Sequence, residues 1–400
     1  MKPASSDHMP APSGAPSFGA VIVFLSLFFL VYGGVHVFLY LRVANAFAMA
    51  GPAATGIILL MVLMVPMPVA VRFLERSGFE AAARLAAVSG YVWMGAVFLL
   101  FSFLIVLDMT GFMLDLAYSY AGGEIGACVL PEPSATVYAF LITAASLLYG
   151  MVRASRVRVR RLTIETSGRS VSDGILTICQ ISDLHLGILV GEKMVRRIVT
   201  LIRAENPDIV VCTGDLVDGE IRIHLEKPAE LLASVTPRYG KYLVPGNHEY
   251  FAGIAKAMRF AAASGFRVLR GETISIPGVI SIAGVDDPTG RLYGWYENIP
   301  EDDLLGGMPR APFSLLLKHQ PDVRDSACGH FDLQLSGHTH GGQIFPFGFL
   351  TRIRYRYNVG LFALPRGSQI YVSRGAGTWG PPVRLGSPPE ITVIRVVPER

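Results

Sequence analysis

This chain is poor in charge. Asp, Glu, Lys and Arg make up 16% of its 400 residues, against 51% hydrophobic residues. That balance is too apolar for an ordinary soluble protein, and a membrane portion is its simplest explanation. The net charge is only +4, and the arginines collect in short stretches. No strongly basic face is available for general nucleic-acid binding, so no nucleic-acid partner is expected. Cysteine is scarce as well. Cys128, Cys179, Cys212 and Cys328 are scattered without CxxC spacing, which argues against a disulfide framework or a thiolate zinc site. They read as small core residues.

What is present begins with long apolar runs. Residues 1–17 are polar, small and proline-rich, and a disordered tail is expected there. Residues 18–41 are almost wholly apolar and long enough to span, since about 20 apolar residues cross a bilayer. A cleaved signal peptide is the rival, with Ala44-Asn45-Ala46 as its cleavage site. The run is longer than the ~7–15 residues usual for a signal, so retention is favoured. Residues 56–71, 91–107 with an extension toward Ala117, and 137–151 supply three further helices. Asp108 and Asp115 near the end of the third are expected at the interface and not on an ion path. His36 in the first has no evident partner.

Orientation follows from the arginines. Arg72, Arg76 and Arg84 follow the second helix, and Arg153, Arg156, Arg158, Arg160 and Arg161 follow the fourth. The connection after the third carries Glu124 and Glu132 and no basic residue. Positive charge stays inside, so a multi-pass protein of the inner or plasma membrane is expected, with everything after the fourth helix cytoplasmic. The membrane region is then residues 18–153, followed by a basic linker over 154–172 whose arginines suit anionic lipid headgroups.

From 173 to 400 the pattern changes to short apolar runs alternating with helical stretches, the signature of α/β layers. A strand over 175–181 delivers Asp183 and His185, and a helix with one buried face follows over 192–204. Strands over 209–213 and 241–245 end in Gly214-Asp215 and Gly246-Asn247-His248-Glu249. Later strands are expected over 280–285, 313–318 ending at His319, 331–336 ending at Gly337-His338-Thr339-His340, 370–373 and 391–396. Polar clusters at the C-terminal ends of strands are where open α/β sheets place ligands. If the strand continues through His338 and His340, residues two apart project to one side and both rings reach a single cluster.

Asp183, His185, Asp215, Asn247, His319, His338 and His340 offer oxygen and nitrogen donors with no thiolate. Such a set suits zinc, manganese or iron and is too nitrogen-rich for magnesium or calcium. Seven ligands are too many for one catalytic ion that must keep an open position. They suit two divalent metal ions sharing a bridging carboxylate. Two ions about 3.5–4 Å apart lower the pKa of a bridging water and clamp a phosphoryl oxygen, so that the hydroxide attacks phosphorus in line with the leaving group. A phosphoester is the natural substrate.

The order DLH, GD, GNHE, a lone His and GHTH is similar to the calcineurin-like metallophosphoesterase superfamily, from about residue 173 onward and not in the membrane portion. The resemblance implies a four-layer αββα sandwich of two packed mixed sheets flanked by helices. It implies that Asp183, His185 and His340 hold the first metal, that Asp215 bridges, and that Asn247, His319 and His338 hold the second. His248 is implied to stand free of the metals and serve the leaving group as a general acid or hydrogen-bond donor. The run Gly284-Val-Asp286-Asp287-Pro288, and the tail from Ser373 through Arg384 to Glu390, resemble a membrane-associated bacterial branch with YkuE-type and YaeI-type phosphodiesterases.

A membrane-held site suggests a membrane-bound substrate, such as a lipid with a phosphate or pyrophosphate headgroup. The stretches 292–308, 345–349 and 352–357 either form an apolar and basic lip beside the site or pack within the domain. Soluble cyclic nucleotides and phosphoproteins are the alternative substrates. A receptor or assembly module, with the domain as its output or as a binding module, is the alternative function. Every expected metal position is filled, which argues against an inactive module.

Overall fold

The computed structural model describes residues 18–166, 174–222, 225–296, 299–309 and 311–398. The tail expected over 1–17 lies outside them. The membrane region comprises α1 (Phe18–Ala46), α2 (Gly51–Met64), α3 (Met67–Arg76), α4 (Glu80–Tyr120) and α5 (Glu132–Ala154). Helices α1, α4 and α5 are long and apolar enough to cross a bilayer, while α2 and α3 pass that test only as a pair bent by 44°. The bend falls at Pro66, with Pro68 in the first turn of α3, where proline cannot donate the hydrogen bonds of a continuous helix.

The expected third span, with its extension toward Ala117, lies within the 41-residue α4, which begins already at Glu80. At 1.5 Å per residue such a helix is about twice as long as the ~30 Å hydrocarbon core is thick. Its alanine-rich first turns favour helix without being apolar enough to read as a span. His36, expected to lack a partner, has two: Trp93 Nε1 donates to Nε2 at 2.9 Å, and Nδ1 lies 2.7 Å from the Tyr32 carbonyl. Asp108 pairs with Arg42 at 2.8 Å, and Asp115 accepts from the Gly126 amide at 2.6 Å.

The remainder holds β1 (Arg158–Thr166), β2 (Leu176–Ile181), α6 (Glu192–Glu205), β3 (Ile209–Cys212), α7 (Glu226–Ala233), β4 (Lys241–Leu243), α8 (Asn247–Ala252), α9 (Ile254–Ala263) and β5 (Arg267–Val268). It continues with β6 (Glu272–Ile276), β7 (Ile280–Gly284), α10 (Glu301–Gly306), β8 (Ser314–Leu317), β9 (Leu333–Ser336), α11 (Gly348–Arg354), β10 (Gly360–Ala363), β11 (Gln369–Val372) and β12 (Glu390–Pro398). Two six-stranded sheets result, in the orders β1-β12-β2-β3-β4-β5 and β10-β11-β9-β8-β7-β6. Ile178, Val211 and Tyr242 of the first pack against Ile282, Leu315 and Leu335 of the second. Val195 and Ile198 of α6, Leu232 of α7 and Phe260 of α9 cover the outer face of the first sheet. Leu304 and Leu305 of α10 lie on the outer face of the second. Helix, sheet, sheet, helix is the four-layer arrangement.

Residues 158–166, expected in the linker, form an edge strand parallel to β12, with Arg158 opposite Glu390. Arg158, Arg160 and Arg161 are exposed while Ile164 is buried, the alternation of an edge strand whose charges deter further pairing. The arginines hid a strand whose buried side is carried by few residues. Parallel pairing of β2, β3 and β4, and of β7, β8 and β9, brings the C-terminal ends that carry the candidate ligands to the same edge of each sheet. The membrane helices pack on the domain beside that edge: Leu99 and Leu147 meet Ile344 and Val383, and the Gly150 carbonyl accepts from the Arg384 amide at 3.0 Å.

Candidate metal centre

The strands end just before the site, and the chain turns there through a left-handed conformation. Asp183 (φ 52°), His185 (50°), Asp215 (51°), His338 (72°) and His340 (50°) are five of the nine non-glycine residues with positive φ among the described residues. Such backbone costs about 1–3 kcal/mol per residue and persists only where its surroundings over-determine it, as at functional sites. Because β9 stops at Ser336, strand alternation does not govern the two histidines beyond it. Their rings go to different clusters, His340 with Asp183 and His185, His338 with Asp215 and His319. Close approach makes glycine necessary at two turns. A Cβ on Gly337 would fall 2.2 Å from Asp183 Oδ2, and one on Gly214 would fall 2.6 Å from both the Gly246 nitrogen and His319 Nδ1.

Within each of these two trios the ligand atoms lie within 4.8 Å of one another. One oxygen faces both: Asp215 Oδ2 is 3.8 Å from His185 Nε2 and 3.2 Å from His319 Nε2. Asn247 Oδ1 joins the second trio, 3.1 Å from His319 Nε2 and 3.0 Å from His338 Nδ1. His185 Nε2 and His340 Nε2 stand 2.9 Å apart in the first. All seven residues expected from the sequence therefore meet in one place. The outer nitrogens of His319 and His338 have partners that fix their rings. His319 Nδ1 donates to the Thr213 carbonyl at 2.7 Å, which leaves the Nε2 lone pair toward Asp215. Tyr355 Oη lies 2.8 Å from His338 Nε2, so Nδ1 faces inward. This bracing from behind is characteristic of metal-ligating histidines. The buried Arg384 lies behind His340, with Nη2 2.9 Å from its Nδ1 and Nη1 donating to the Arg374 carbonyl at 2.8 Å.

The electrostatics favour a cation. Burial pushes His185 and His338 down to about 3, and burial with the Arg384 charge holds His340 well below the usual range, so the neutral form of each ring is favoured. Burial raises Asp183 to about 6. His319 goes the other way: burial would lower it, but Asp215, with Asp183 and Asp287 behind, raises it well above normal. The carboxylates that would hold a proton on His319 hold a divalent cation as readily, in exchange for that proton. Buried carboxylates and neutral imidazoles without thiolate fit first-row divalent ions.

His248, expected at the site, stands beside the two trios, and two acidic residues with no role assigned from the sequence, Asp218 and Glu249, accompany it. His248 lies within 4.8 Å of ligand atoms on His185 and Asp215. Its distinguishing partner is Asp218, whose Oδ1 is 2.9 Å from His248 Nδ1. Burial would raise Asp218, but the hydrogen bond from His248 and the charge of Arg72 hold it below the usual carboxylate range. Glu249 is buried and accepts from the amides of Asp215 (2.9 Å), Leu216 (2.7 Å), Val217 (3.2 Å) and Gly246 (2.7 Å). The last letter of GNHE thus shapes the loop that presents Asp215. Glu249→Ala strands these buried amides and should cost at least about 3 kcal/mol of stability. Thermal unfolding in detergent and metal content should fall together; unchanged values in both would show that Glu249 does not hold this loop.

Of the expected lip, Leu304 and Leu305 are core residues. Tyr293 stacks beside Tyr250 and Phe251 near His248. Phe345, Phe347 and Phe349 are exposed, and Phe347 meets Phe98 of α4 at 6.2 Å.

Residues 176–342 match the calcineurin-like phosphoesterase family. An uncharacterized metallophosphoesterase of Aquifex aeolicus is 40% identical over 241 residues, covering 60% of this chain and 92% of that one. A Danio rerio protein named as a transmembrane protein with metallophosphoesterase domain is 34% identical over 272 residues, covering 65% of this chain and 62% of its own length. The uncharacterized metallophosphoesterase YkuE of Bacillus subtilis is 32% identical over 248 residues, covering 58% and 84%.

Proposed function

This chain belongs to the calcineurin-like metallophosphoesterase family, whose members are metal-dependent phosphoester hydrolases, and on that footing we propose that it cleaves a lipid-linked phosphodiester or pyrophosphate at a two-cation centre held against the bilayer. The observation that carries the two-cation reading is Asp215, whose single oxygen faces both histidine clusters. Asp183, His185 and His340 hold one cation, and Asn247, His319 and His338 the other, with manganese, zinc or iron suited to these donors. When bound, such a pair supplies a water of lowered pKa as nucleophile and polarises a phosphoryl oxygen.

His248 handles the leaving group. Burial would lower its pKa, but Asp215 and the hydrogen bond to Asp218 raise it, which favours the protonated ring. With Nδ1 committed to Asp218, the proton for the departing oxygen is the one on Nε2.

A lipid-linked substrate is supported by the surroundings. Trp379 and Phe251 are half exposed, with rings 6.0 and 5.2 Å from His248. Phe349, Leu350 and Ile353 of α11 are exposed among Arg352 and Arg354, continuous through Phe347 with the membrane helix α4. Apolar side chains interleaved with arginine suit acyl chains below anionic headgroups. The domain division proposed is a membrane region over 18–153 and a phosphoesterase domain over 173–400 that also recruits β1.

The catalytic domain is proposed to be cytoplasmic. Arg222 Nη2 donates to the carbonyls of Glu75 (2.6 Å) and Arg76 (3.2 Å), so the arginine-rich connection after α2 and α3 lies against the domain, as positive-inside topology requires. A reporter fused after Arg400 should be active only as a cytoplasmic reporter, and one placed near Glu124 only as an external one. An exported C-terminus would refute the orientation.

Two assays test the activity. The purified full chain should hydrolyse bis-p-nitrophenyl phosphate only with a divalent metal such as manganese. Mass spectrometry of a lipid extract before and after incubation should show one phosphorylated lipid consumed. Hydrolysis of the soluble diester with an unchanged extract would favour a soluble nucleotide, and no hydrolysis of either would favour a binding module.

A further inference from the structure

Helix α3 of the membrane region reaches the leaving-group side of the site. Arg72 Nη2 donates to Asp218 Oδ1 at 2.7 Å, and that same oxygen lies 2.9 Å from His248 Nδ1. Arg72 Nη1 is braced by Glu75 Oε2 at 3.2 Å on the same helix. Gly219 keeps room for the guanidinium, since a Cβ there would fall 2.3 Å from Nη1. The helix is seated by packing of Val71 with Ile188 and Leu189, which closely follow His185 in the chain. Arg222 clamps its end through the carbonyls of Glu75 and Arg76.

An ionised carboxylate oxygen has lone pairs enough for both donors at Oδ1. A guanidinium fixed by its own ion pair on one side restrains the rotation of that carboxylate more than mobile water does. The carboxylate in turn sets the plane of the imidazole, and a transferring proton is sensitive to that plane.

We propose that Arg72 is a positioning residue of the reaction: the membrane region supplies the charge that fixes Asp218, and Asp218 fixes His248. This inference rests on the phosphoester hydrolysis proposed above. It makes α3 part of the active site and not only of its tether.

The test is a double-mutant cycle on the full chain with a p-nitrophenyl diester and a poorer-leaving alkyl diester. Arg72→Ala should lower kcat by roughly 10–100-fold, the usual effect of removing an outer partner of a site residue, with metal content unchanged. Its dependence on the leaving group should copy that of His248→Asn. In the His248→Asn background, Arg72→Ala should cost nothing further within about 2-fold, because residues acting as one unit are non-additive. Arg72→Lys should recover part of the rate. Arg222→Ala, which loosens the same interface without touching Asp218, should keep the wild-type dependence on leaving group. Where Arg72→Ala is not recovered folded, Arg72→Gln takes its place in the cycle.

An undiminished rate in the Arg72 variant would overturn the inference. So would a full loss on top of His248→Asn, which would mean that Arg72 meets the substrate directly. If Arg222→Ala matched Arg72→Ala in size and leaving-group dependence, interface packing alone would be responsible and the inference would fail. Absence of metal-dependent hydrolysis in the wild type would overturn the proposed function as well, whereas wild-type hydrolysis with any of the preceding results overturns this inference alone.

Discussion

Asp215→Asn should abolish turnover and lower metal content together. The substitution keeps the side chain's shape and removes the negative charge that sits 3.2 Å from His319 Nε2 and 3.8 Å from His185 Nε2. Two cations held close together would repel, and a carboxylate facing both would offset that repulsion. Asp215 Oδ1 also accepts from the His248 amide at 2.9 Å, so the same residue ties the leaving-group histidine to the centre. A drop of roughly 10³-fold or more is expected, since loss of even one group that stabilises developing charge costs roughly 10²–10³. Metal analysis of the purified variant alongside its rate checks this. Full occupancy with wild-type turnover would sink the shared-carboxylate centre.

His248→Asn should behave differently: both metals and the fold stay, and the rate falls by roughly 10²–10⁴, the worth of a positioned acid or base. The ring is not needed to close either trio, and its Nδ1 is held by Asp218 instead. Diesters graded by leaving-group pKa separate two roles. A loss that disappears with a very good leaving group means that His248 donates the proton. An equal loss across the series means that it stabilises the phosphoryl oxygens. Loss of metal in this variant would make His248 a ligand and contradict the division of roles.

Much of this centre was legible because its parts are local. Each ligand sits at the end of a short apolar run, and a strand that ends in a polar cluster can be read from a handful of consecutive residues. What could not be read depends on distant contacts. Arg72 and Asp218 are 146 residues apart, and nothing in either neighbourhood announces the other. Strand β1 looks like a linker in the sequence because its arginines outnumber its buried residues, and its partner β12 lies at the far end of the chain. The two histidines of GHTH were expected on one face, but β9 ends at Ser336 and the turn through His338 separates the rings. The helices were read as a device for placing the site at the bilayer. Their packing on Ile344 and Val383, and the reach of α3 to Asp218, tie them to the site itself.

The most direct measurement takes metal content and turnover on one preparation of the full chain. Stripped by a chelator, it should lose hydrolysis of bis-p-nitrophenyl phosphate, and stepwise addition of manganese should restore it as occupancy rises to two ions per chain. Turnover by the stripped protein, or saturation at a single ion with full activity, would contradict the two-cation account.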